Sequence, residues 1–395
     1  MDPFLERIAH VDMDAFFVEV ERLRRPALRA KAVVVGGAGP RGVVASASYE
    51  ARRRGVSSGM PIGQARRLCP HAVVVPPDHG EYHRVSERVF EVIEGFTPDL
   101  EPVSVDEAFI DITGLRLLHS GPTAIAEGIR AAIRREVGLP ASVGLATTKL
   151  VAKMASRDAK PDGIRLVPAG TEVDYLHPKE VRALWGVGEA TYARLEELGV
   201  RTVGDLAAFP RETLVRRLGE ALGGHLWDLA AGRDDRQVVP PSGARSISVE
   251  ETYDADIIDS DLLRRELLAH ADRLASRLRS AGFVAATVQL KVRFDDFTTV
   301  TRSHTFDQPV STGLDLYRAA LTLLGRTAAS RRPVRLLGIG TDGLVPAGDP
   351  RQLGLTARSW DDLEEVVEEV RGRFGRDAVA RARLVDPVPD LPGDE

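Results

Sequence analysis

The sequence predicts an α+β fold organised in more than one packing unit. The chain has 395 residues, which is longer than a domain with a single hydrophobic core usually is, so we expect two to four packing units. Short apolar runs typical of strands are mixed with longer stretches of helical periodicity, without strict β–α–β alternation, which favours an α+β sheet domain. A charged and then proline-rich stretch from Gly232 to Gly243 predicts a linker to a second, smaller α+β unit.

The first predicted strand is an apolar run from Ile8 to Met13 that ends in carboxylates. A helix from Glu81 to Phe96 is indicated by apolar residues that share one helical face. The other elements before residue 224 are, in chain order, a strand at Val33–Val35, a helix at Tyr49–Gly55, a strand at Val73–Pro77, a helix at Ala124–Val137, a strand at Ser142–Thr147, a helix from Lys149 and a glycine-punctuated helical region at Pro178–Gly224.

The segment from Val103 to Ile112 changes its alternation in the middle. Apolar residues occupy odd positions before Asp106 and even positions after Glu107, so the period-two phase shifts at the acidic pair. We therefore expect a turn or bulge there, which would present both carboxylates at an edge instead of burying them.

The second unit, from Arg245 to Gly343, is predicted as strand, helix, strand, strand, helix, strand. Its helices are expected at Leu262–Ser280 and Leu314–Ala328. The segment from residue 346 to residue 395 contains one more amphipathic helix and ends in residues rich in proline and aspartate.

The charge of the chain is concentrated in this tail. The net charge is −5, and residues 346–395 hold 12 acidic and 7 basic residues, so residues 1–345 are balanced. A balanced charge in residues 1–345 does not exclude a basic groove for nucleic acid.

The single cysteine, Cys69, excludes a disulfide framework and fits a reducing cytoplasm. No apolar run reaches membrane-spanning length.

Two acidic clusters are the first candidate site. Asp12 and Asp14 end the first strand, and Asp106 and Glu107 stand at the phase change. Carboxylates at two strand ends are suited to hard divalent cations, and two such cations can promote phosphoryl transfer. The alternative interpretation is that these are solvated loop acids.

Two further patterns indicate phosphate binding. Ser46, Tyr49 and Arg52 lie close together in sequence and, with Lys160 downstream, could complete a triphosphate shell. The alternative is a solvated helix face. A helix, a Gly-x-Gly turn at residues 186–188 and a second helix match a helix-hairpin-helix, whose backbone N–H groups bind nucleic-acid phosphates, although such turns are often structural only.

The patterns together resemble the Y-family DNA polymerases, in their DNA polymerase IV (DinB) branch. The resemblance covers about residues 8–345, and its motifs occur in the family's order. They are HVDMDAFF at 10–17, SASYEAR at 46–52, SGMPI at 58–62, SVDEAF at 104–109, AKPDG at 159–163 and WGVG at 185–188.

The resemblance implies a right-hand polymerase fold, with a palm, fingers, a helical thumb and a C-terminal α+β little finger. The implied bounds are 1–19 and 77–170 for the palm, 20–76 for the fingers, 171–232 for the thumb, 233–244 for a linker, 245–345 for the little finger and 346–395 for an acidic tail. The implied activity is low-fidelity, distributive translesion synthesis by a monomer, with primer–template DNA and dNTPs as substrates, in DNA damage tolerance and repair.

The resemblance also implies roles for individual residues. Asp12, Asp106 and Glu107 would bind two Mg²⁺ or Mn²⁺ ions, with the Met13 carbonyl as a further contact. The other implied contacts are Phe16, Phe17, Ser46, Tyr49, Arg52 and Lys160 with the nucleotide, Phe17 as steric gate, Val43, Ala45 and Gly59 as the roof of the base pair, and Gly186, Val187, Gly188, Arg245 and Ser246 with DNA. If strand alternation continues, Phe16 and Phe17 face opposite sides.

Two departures and two alternatives stay open. Ala15 stands where some relatives have an aromatic residue, and Gln352, Leu353 and Leu355 match a sliding-clamp-binding peptide only in part, because Thr356 replaces the expected aromatic residue. An inactive DNA-binding relative would lack a metal carboxylate. A palm enzyme without a template, such as a nucleotide cyclase, would need neither the hairpin nor the little finger.

Overall fold

The computed structural model describes residues 5–37, 39–240, 243–348, 361–375 and 378–384. The chain divides into two compact units, Met1–Ser242 and Gly243–Glu395. In the described ranges, no helix combines the length and the apolar character that crossing a membrane requires.

The first unit mixes strands and helices, as the sequence predicts. Its elements are β1 (Ile8–Met13), α1 (Phe16–Arg24), β2 (Val33–Gly36), β3 (Val44–Ala47), α2 (Tyr49–Arg52), α3 (Ile62–Leu68), β4 (Val73–Val75), α4 (His79–Glu94), β5 (Leu100–Pro102), β6 (Glu107–Asp111), α5 (Pro122–Glu136), β7 (Ala141–Ala146), α6 (Lys149–Ala159), β8 (Ile164–Leu166), α7 (Glu172–Leu176), α8 (Glu189–Glu197), α9 (Val203–Ala208), α10 (Arg211–Leu218) and α11 (Glu220–Ala230).

The central strand of the main sheet is β1. The sheet has the order β5-β6-β1-β7-β8, and β1 is antiparallel to both of its neighbours. Successive side chains of a strand point to opposite faces. Ala9, Val11 and Met13 are therefore buried in the same core as α4 and α5, whereas Ile8 is buried in a separate core with α6.

Helix α6 lies unusually close to the sheet because of one glycine. A Cβ atom at Gly144, in β7, would be 2.0 Å from the Ala152 carbonyl oxygen and 2.2 Å from the Ser156 amide nitrogen. Real Cβ atoms do not approach backbone so closely, so only glycine permits this packing. The close approach matters because α6 carries side chains that reach the site.

The predicted break at the acidic pair is confirmed. Strand β5 ends at Pro102 and β6 begins at Glu107, and the residues between them form no strand. The amide groups of Val103 and Ser104 both donate to the Glu107 carbonyl, at 2.9 and 3.3 Å, which closes a tight turn.

A second, three-stranded sheet has the order β3-β2-β4. Its strand β3 and helix α3 were not apparent in the sequence, since both are short and each apolar pattern covers only a few residues. The expectation of strand alternation at Phe16 and Phe17 is wrong: the chain turns at Ala15, which has a left-handed φ of 44°, and α1 begins at Phe16.

The helical region has one difference from the predicted hairpin. The segment before the Gly-x-Gly turn is a 3₁₀ turn, Val181–Ala183, instead of an α-helix. Glu180 forms an antiparallel bridge with Thr202, and the Val181 amide donates to the Arg201 carbonyl, so these backbone groups are not available to a longer helix.

The first residues of the predicted linker are held against the first unit. Asp234 accepts a hydrogen bond from the Leu150 amide at 2.9 Å, and the Gln237 carbonyl accepts one from Lys149 at 3.2 Å. The Val239 amide donates to Glu101 at 2.8 Å. This part of the chain is therefore an ordered strap.

The second unit follows the predicted order of strands and helices. Its elements are β9 (Ile247–Ile257), α12 (Ser260–Ser280), β10 (Phe283–Phe294), β11 (Thr299–Val310), α13 (Gly313–Leu324), β12 (Val334–Pro346) and α14 (Asp361–Phe374). The antiparallel sheet has the order β11-β10-β12-β9, and α12 and α13 pack on one face of it.

The acidic tail helix α14 is anchored by an ion network. Glu364 accepts hydrogen bonds from the Gly313 amide at 2.9 Å, from Arg279 at 2.6 Å and from Arg381 at 2.9 Å. Gly313 opens α13, so Glu364 also complements the positive end of that helix. Asp272 completes the network through Arg381 at 2.7 Å.

We predict that Glu364→Ala destabilises the packing of α14 and the first turn of α13. Removing the carboxylate leaves the Gly313 amide without its acceptor and takes one of two acidic partners from Arg279 and from Arg381, which costs about 1–3 kcal/mol. Hydrogen exchange of the backbone amides in these two helices should measure the local opening. Glu369→Ala is the control, because Glu369 is exposed on the same helix. Equal exchange in the two variants would show that the network does not hold α14.

Candidate active site

The two acidic clusters meet at the open end of β1. Asp12 lies directly opposite Glu107 in the β1–β6 register. Among the described residues, one ligand atom each from His10, Asp12 and Glu107 lie within 4.8 Å of one another. His10 and Asp12 are two residues apart, so both side chains point to the same face of β1.

Asp106 has a different environment from Asp12 and Glu107. Its carboxylate accepts a hydrogen bond from the Ser104 hydroxyl at 2.6 Å, and it is not a member of the 4.8 Å group. Its backbone carbonyl accepts from the Met13 amide at 2.9 Å, which fixes the turn beside β1. The charge of Asp106 nevertheless contributes to raising the pKa of Asp12.

Asp12 is an electrostatically costly carboxylate. Burial raises its pKa to about 6, and the charges of Asp106 and Glu107 act in the same direction. Lys160 opposes this effect through a hydrogen bond to Asp12 at 2.7 Å. The same ammonium group donates to the Met13 carbonyl at 3.0 Å.

The negative charge of Glu107 is compensated more completely than that of Asp12. Burial alone would raise its pKa, but the nearby His10 ring and the Lys153 ammonium outweigh burial and lower the pKa to about 2. Lys153 donates to Glu107, and His10 Nε2 lies 3.4 Å from the same carboxylate oxygen. Burial lowers the pKa of His10, and its Nδ1 pairs with the Ser156 hydroxyl at 2.7 Å.

Lys153 also connects this site to the Gly-x-Gly segment. Its ammonium lies 5.4 Å from the centre of the Trp185 ring. The Trp185 ring also packs 5.7 Å from the Phe109 ring and beneath the Arg236 guanidinium at 4.2 Å. The residue that precedes the turn is therefore fixed against β6 and α6 by aromatic and cation–π contacts.

Two of the predicted phosphate-binding residues, Tyr49 and Lys160, contact acidic residues at this end of β1. Tyr49 donates to Asp14 at 2.7 Å, and burial together with this hydrogen bond raises the pKa of Tyr49, so the hydroxyl keeps its proton. Arg52 donates to the Ala47 carbonyl at 2.9 Å and lies 5.0 Å from the Tyr49 ring centre. Ser46 is buried in β3 opposite Val35.

The two neighbouring phenylalanines differ in burial. Phe16 is buried in the main core, whereas Phe17 is only partly buried. The Phe17 ring is stacked on Tyr82 at 4.2 Å, and the Tyr82 hydroxyl donates to buried Glu21 at 3.0 Å. The Phe17 ring is therefore held in place by α4 with part of its surface accessible.

Three of the predicted site residues form an exposed patch on the small sheet. Val43 and Ala45 are exposed, and Val44 between them is buried, as strand alternation requires. The Gly59 amide donates to the Val44 carbonyl at 2.8 Å, so Gly59 lies beside them. Gly59 has a left-handed φ of 81°, which favours glycine.

The remaining predicted residues lie elsewhere. Gly186 has a φ of 100°, and Gly188 precedes α8 in an extended conformation. Arg245 and Ser246 are exposed in the second unit. Gln352, Leu353 and Leu355 lie outside the described residues.

Sequence reasoning gave no role to three residues that contact the acidic groups of the site. They are His10, Ser142 and Lys153. A signal existed for His10, since it lies two residues before Asp12 on the same strand. No local pattern could have indicated Ser142 or Lys153, which come from β7 and α6.

The donor set fits a divalent cation. Carboxylate oxygens surround a point where the His10 Nε2 atom is buried and has no hydrogen-bond partner in the described part of the chain. Burial is the main cause of the raised pKa of Asp12, and the charges of Asp106 and Glu107 add to it, so a bound cation would favour the ionised form. Oxygen donors are typical of Mg²⁺ and Mn²⁺ sites.

Family comparisons cover most of the chain. Residues 11–157 match the impB/mucB/samB family and residues 244–355 match the C-terminal domain of that family. Residues 182–234 match the DNA polymerase-iota thumb domain.

Similar curated proteins and solved structures agree with these matches. DNA polymerase IV of Streptomyces coelicolor is 47% identical over 92% of this chain and 75% of its own length. DNA polymerase IV of Desulfatibacillum aliphaticivorans is 41% identical over 96% of this chain and 97% of its own. A Y-family DNA polymerase chimera has a TM-score of 0.77 and 25% identity, covering 86% of this chain and 99% of the chimera. DinB from Sulfolobus solfataricus has a TM-score of 0.60 and 25% identity, covering 85% of this chain and 98% of the DinB chain.

We predict that Asp12→Asn stabilises the metal-free protein above pH 6. Folding raises the pKa of Asp12 from 3.8 to about 6, so the folded state binds more protons between these values and loses stability as pH rises through them. An asparagine never ionises. The variant's advantage in unfolding free energy should therefore be absent below about pH 4 and reach about 3 kcal/mol above pH 6.

Urea unfolding in EDTA across this pH range measures the difference. Asp99→Asn is the control, because Asp99 is exposed and its neutralisation should change little at any pH. A difference between the parent and Asp12→Asn that is independent of pH would contradict the assignment.

Proposed function

The chain belongs to the Y family of DNA polymerases, in the DNA polymerase IV branch, and we propose which of its residues perform each part of nucleotide addition. It is a DNA-directed DNA polymerase of the translesion type, with primer–template DNA and deoxynucleoside triphosphates as substrates. Low fidelity and distributive synthesis are part of the proposal.

The proposed metal ligands are the carboxylates of Asp12, Asp106 and Glu107, with the Met13 carbonyl. The observation that supports them best is the direct pairing of Asp12 with Glu107 across two strands, together with the raised pKa of Asp12. Two Mg²⁺ ions, or Mn²⁺, would activate the primer 3′-hydroxyl and stabilise the charge on the phosphates. Asp106 would join the other two carboxylates by a side-chain rotation away from Ser104.

The protein's own cations have a separate role in this proposal. Lys153 stays close to Glu107 and helps to lower the pKa of Glu107 to about 2. Glu107 therefore stays ionised. Lys160 is within reach of both Asp12 and the site's open side, so it can exchange its carboxylate contact for a phosphate oxygen. Arg52, Ser46 and Tyr49 would provide the remaining contacts to the triphosphate. The Tyr49 hydroxyl already donates to Asp14, so Tyr49 would use its backbone amide at the start of α2.

The proposed roof over the nascent base pair is the exposed patch of Val43, Ala45 and Gly59. These side chains are small, so they would contact a base pair by van der Waals packing and offer no hydrogen bonds to select it. A roof of this kind supports tolerance of irregular base pairs. Phe17 would lie at the sugar of the nucleotide. The Phe16 side chain is buried in the main core, so the predicted contact of Phe16 with the nucleotide would be limited to its backbone.

The proposed domains are those that the resemblance implies. The palm would be 1–19 and 77–170, the fingers 20–76, the thumb 171–232, the linker 233–244, the little finger 245–345 and the tail 346–395. Gly186, Val187 and Gly188 would contact the DNA backbone, and Arg245 and Ser246 would do so from the second unit. Arg245 and Ser246 line the exposed side of the sheet of the second unit together with Lys291.

A sliding clamp is a further proposed partner. The sequence of Gln352, Leu353 and Leu355 supports it only in part, and a monomeric state is proposed on the resemblance alone.

We predict that Asp106→Ala reduces primer extension by about a thousandfold or more, which corresponds to about 4 kcal/mol of transition-state stabilisation. Binding to primer–template DNA should stay within a few-fold of the parent. Single-nucleotide primer extension measures the first quantity, and fluorescence anisotropy measures the second. Asp99→Ala is the control for loss of a carboxylate. A parent protein that does not extend primers would contradict the proposed function, and extension by Asp106→Ala within tenfold of the parent would contradict the ligand.

We predict that Phe17→Ala raises the ratio of ribonucleotide to deoxynucleotide incorporation by about tenfold or more. With the sugar of the nucleotide against it, the Phe17 ring, held by stacking on Tyr82, would clash with a 2′-hydroxyl and offer it no hydrogen-bond partner. Insertion efficiencies for matched rNTP and dNTP pairs give the ratio. Phe16→Ala is the matched comparison, and because Phe16 is buried it should impair both substrates together. An unchanged ratio in Phe17→Ala would exclude it as the gate.

A further inference from the structure

Asp14 is a buried carboxylate that the roles above leave unused. It directly follows β1, two residues beyond Asp12, and only 1% of its surface is exposed. An ionised group in such a position is costly unless hydrogen bonds compensate it. Its contacts therefore show what the fold uses it for.

Three segments distant in sequence donate hydrogen bonds to Asp14. The Tyr49 hydroxyl donates to Oδ1 at 2.7 Å, and the Asp162 backbone amide donates to Oδ2 at 2.7 Å. The Ser142 hydroxyl lies 3.2 and 3.1 Å from the two oxygens. Asp14 thus joins the start of α2, strand β7 and the loop that follows α6.

Two of these segments carry proposed triphosphate ligands. Helix α2 begins at Tyr49, whose hydroxyl donates its one proton to Asp14, and it carries Arg52, whose guanidinium lies 5.0 Å from the Tyr49 ring centre. Lys160 lies two residues before the Asp162 amide, and its ammonium is 3.7 Å from Asp14 Oδ1 but 2.7 Å from Asp12 Oδ1. Asp14 is therefore situated between α2 and the loop that carries Lys160.

The loop around Asp162 is held in a left-handed conformation. Asp162 has a φ of 51°, a region that few residue types besides glycine, asparagine and aspartate adopt. Its side chain pairs with Arg130 at 2.7 Å and with Arg134 at 2.6 Å. These pairs and the bond from the Asp162 amide to Asp14 hold the loop on several sides.

We propose that Asp14 is a positioning residue that sets helix α2, with Arg52, and Lys160 for the incoming triphosphate. It acts through the Tyr49 hydroxyl on one side and the Asp162 amide on the other. The inference rests on the proposed function, since it assumes that Arg52 and Lys160 bind phosphate. It adds a residue that orders this binding surface before the nucleotide arrives.

The test is single-turnover nucleotide insertion by Asp14→Asn. Asparagine has one acceptor oxygen, so it cannot accept from the Tyr49 hydroxyl and the Asp162 amide as the carboxylate does. We expect the apparent Kd for the dNTP to rise about ten- to hundredfold, as for loss of charge-assisted hydrogen bonds, while DNA affinity stays unchanged. Should this variant not fold, Asp14→Ser removes the same contacts without adding an amide donor, and the same result is expected.

Ser142→Ala is the matched control. It removes one donor to Asp14 but leaves the Tyr49 and Asp162 bonds in place, so it should lower thermal stability and leave the dNTP Kd within about threefold. If Asp14 were merely structural, both variants would lose stability and neither would change the dNTP Kd.

A double-mutant cycle with Tyr49→Phe tests the route. If Asp14 acts through the hydroxyl, the effects of Asp14→Asn and Tyr49→Phe on the dNTP Kd should combine to less than their product. An unchanged dNTP Kd in Asp14→Asn, or fully multiplicative effects, would overturn the inference. Absence of extension by the parent would instead contradict the proposed function, so the two failures are distinguishable.

Discussion

The accumulation of negative charge at the end of β1 is the constraint on which the rest of the site depends. Asp12 is on this central strand, Asp14 directly follows it, and Glu107 lies opposite Asp12 on β6. Like charges at such short range repel strongly in a buried environment. The fold responds with two lysines, Lys153 and Lys160, one within α6 and one directly after it.

This arrangement makes the placement of α6 decisive. The helix must lie close enough to the sheet for Lys153 to reach Glu107, and Gly144 removes the side chain that would otherwise separate them. The compensation is uneven, since the pKa of Glu107 is about 2 whereas that of Asp12 is about 6. Burying Asp12 for a cation therefore lowers the free energy of unfolding, and the packing of the cores in the first unit must offset this loss.

The two units stabilise charge in different ways. In the first, buried carboxylates are left partly uncompensated where a cation or a phosphate can enter. In the second, Glu364 is matched by two arginines and a helix N-terminus, so its charges are satisfied internally. The acidic tail helix is therefore part of the packing of the second unit, although its composition resembles a solvated appendage.

The sequence by itself determined the elements whose patterns are local. The apolar run of β1, the phase change at Asp106 and Glu107 and the strand and helix order of the second unit each follow from a period that a few consecutive residues display. The motifs also identified the family, because their order and spacing are written along the chain.

Only the tertiary structure decided which side chains share the charge of the site. The hydrogen bond between His10 and Ser156 joins residues 146 positions apart, and the bond from Asp162 to Asp14 spans 148. The turn of Asp106 toward Ser104 and the start of α1 at Phe16 likewise depend on neighbours that no periodicity encodes. Local patterns report which face of an element is apolar, whereas the partners of a buried charge are fixed only when the sheet and α6 pack together.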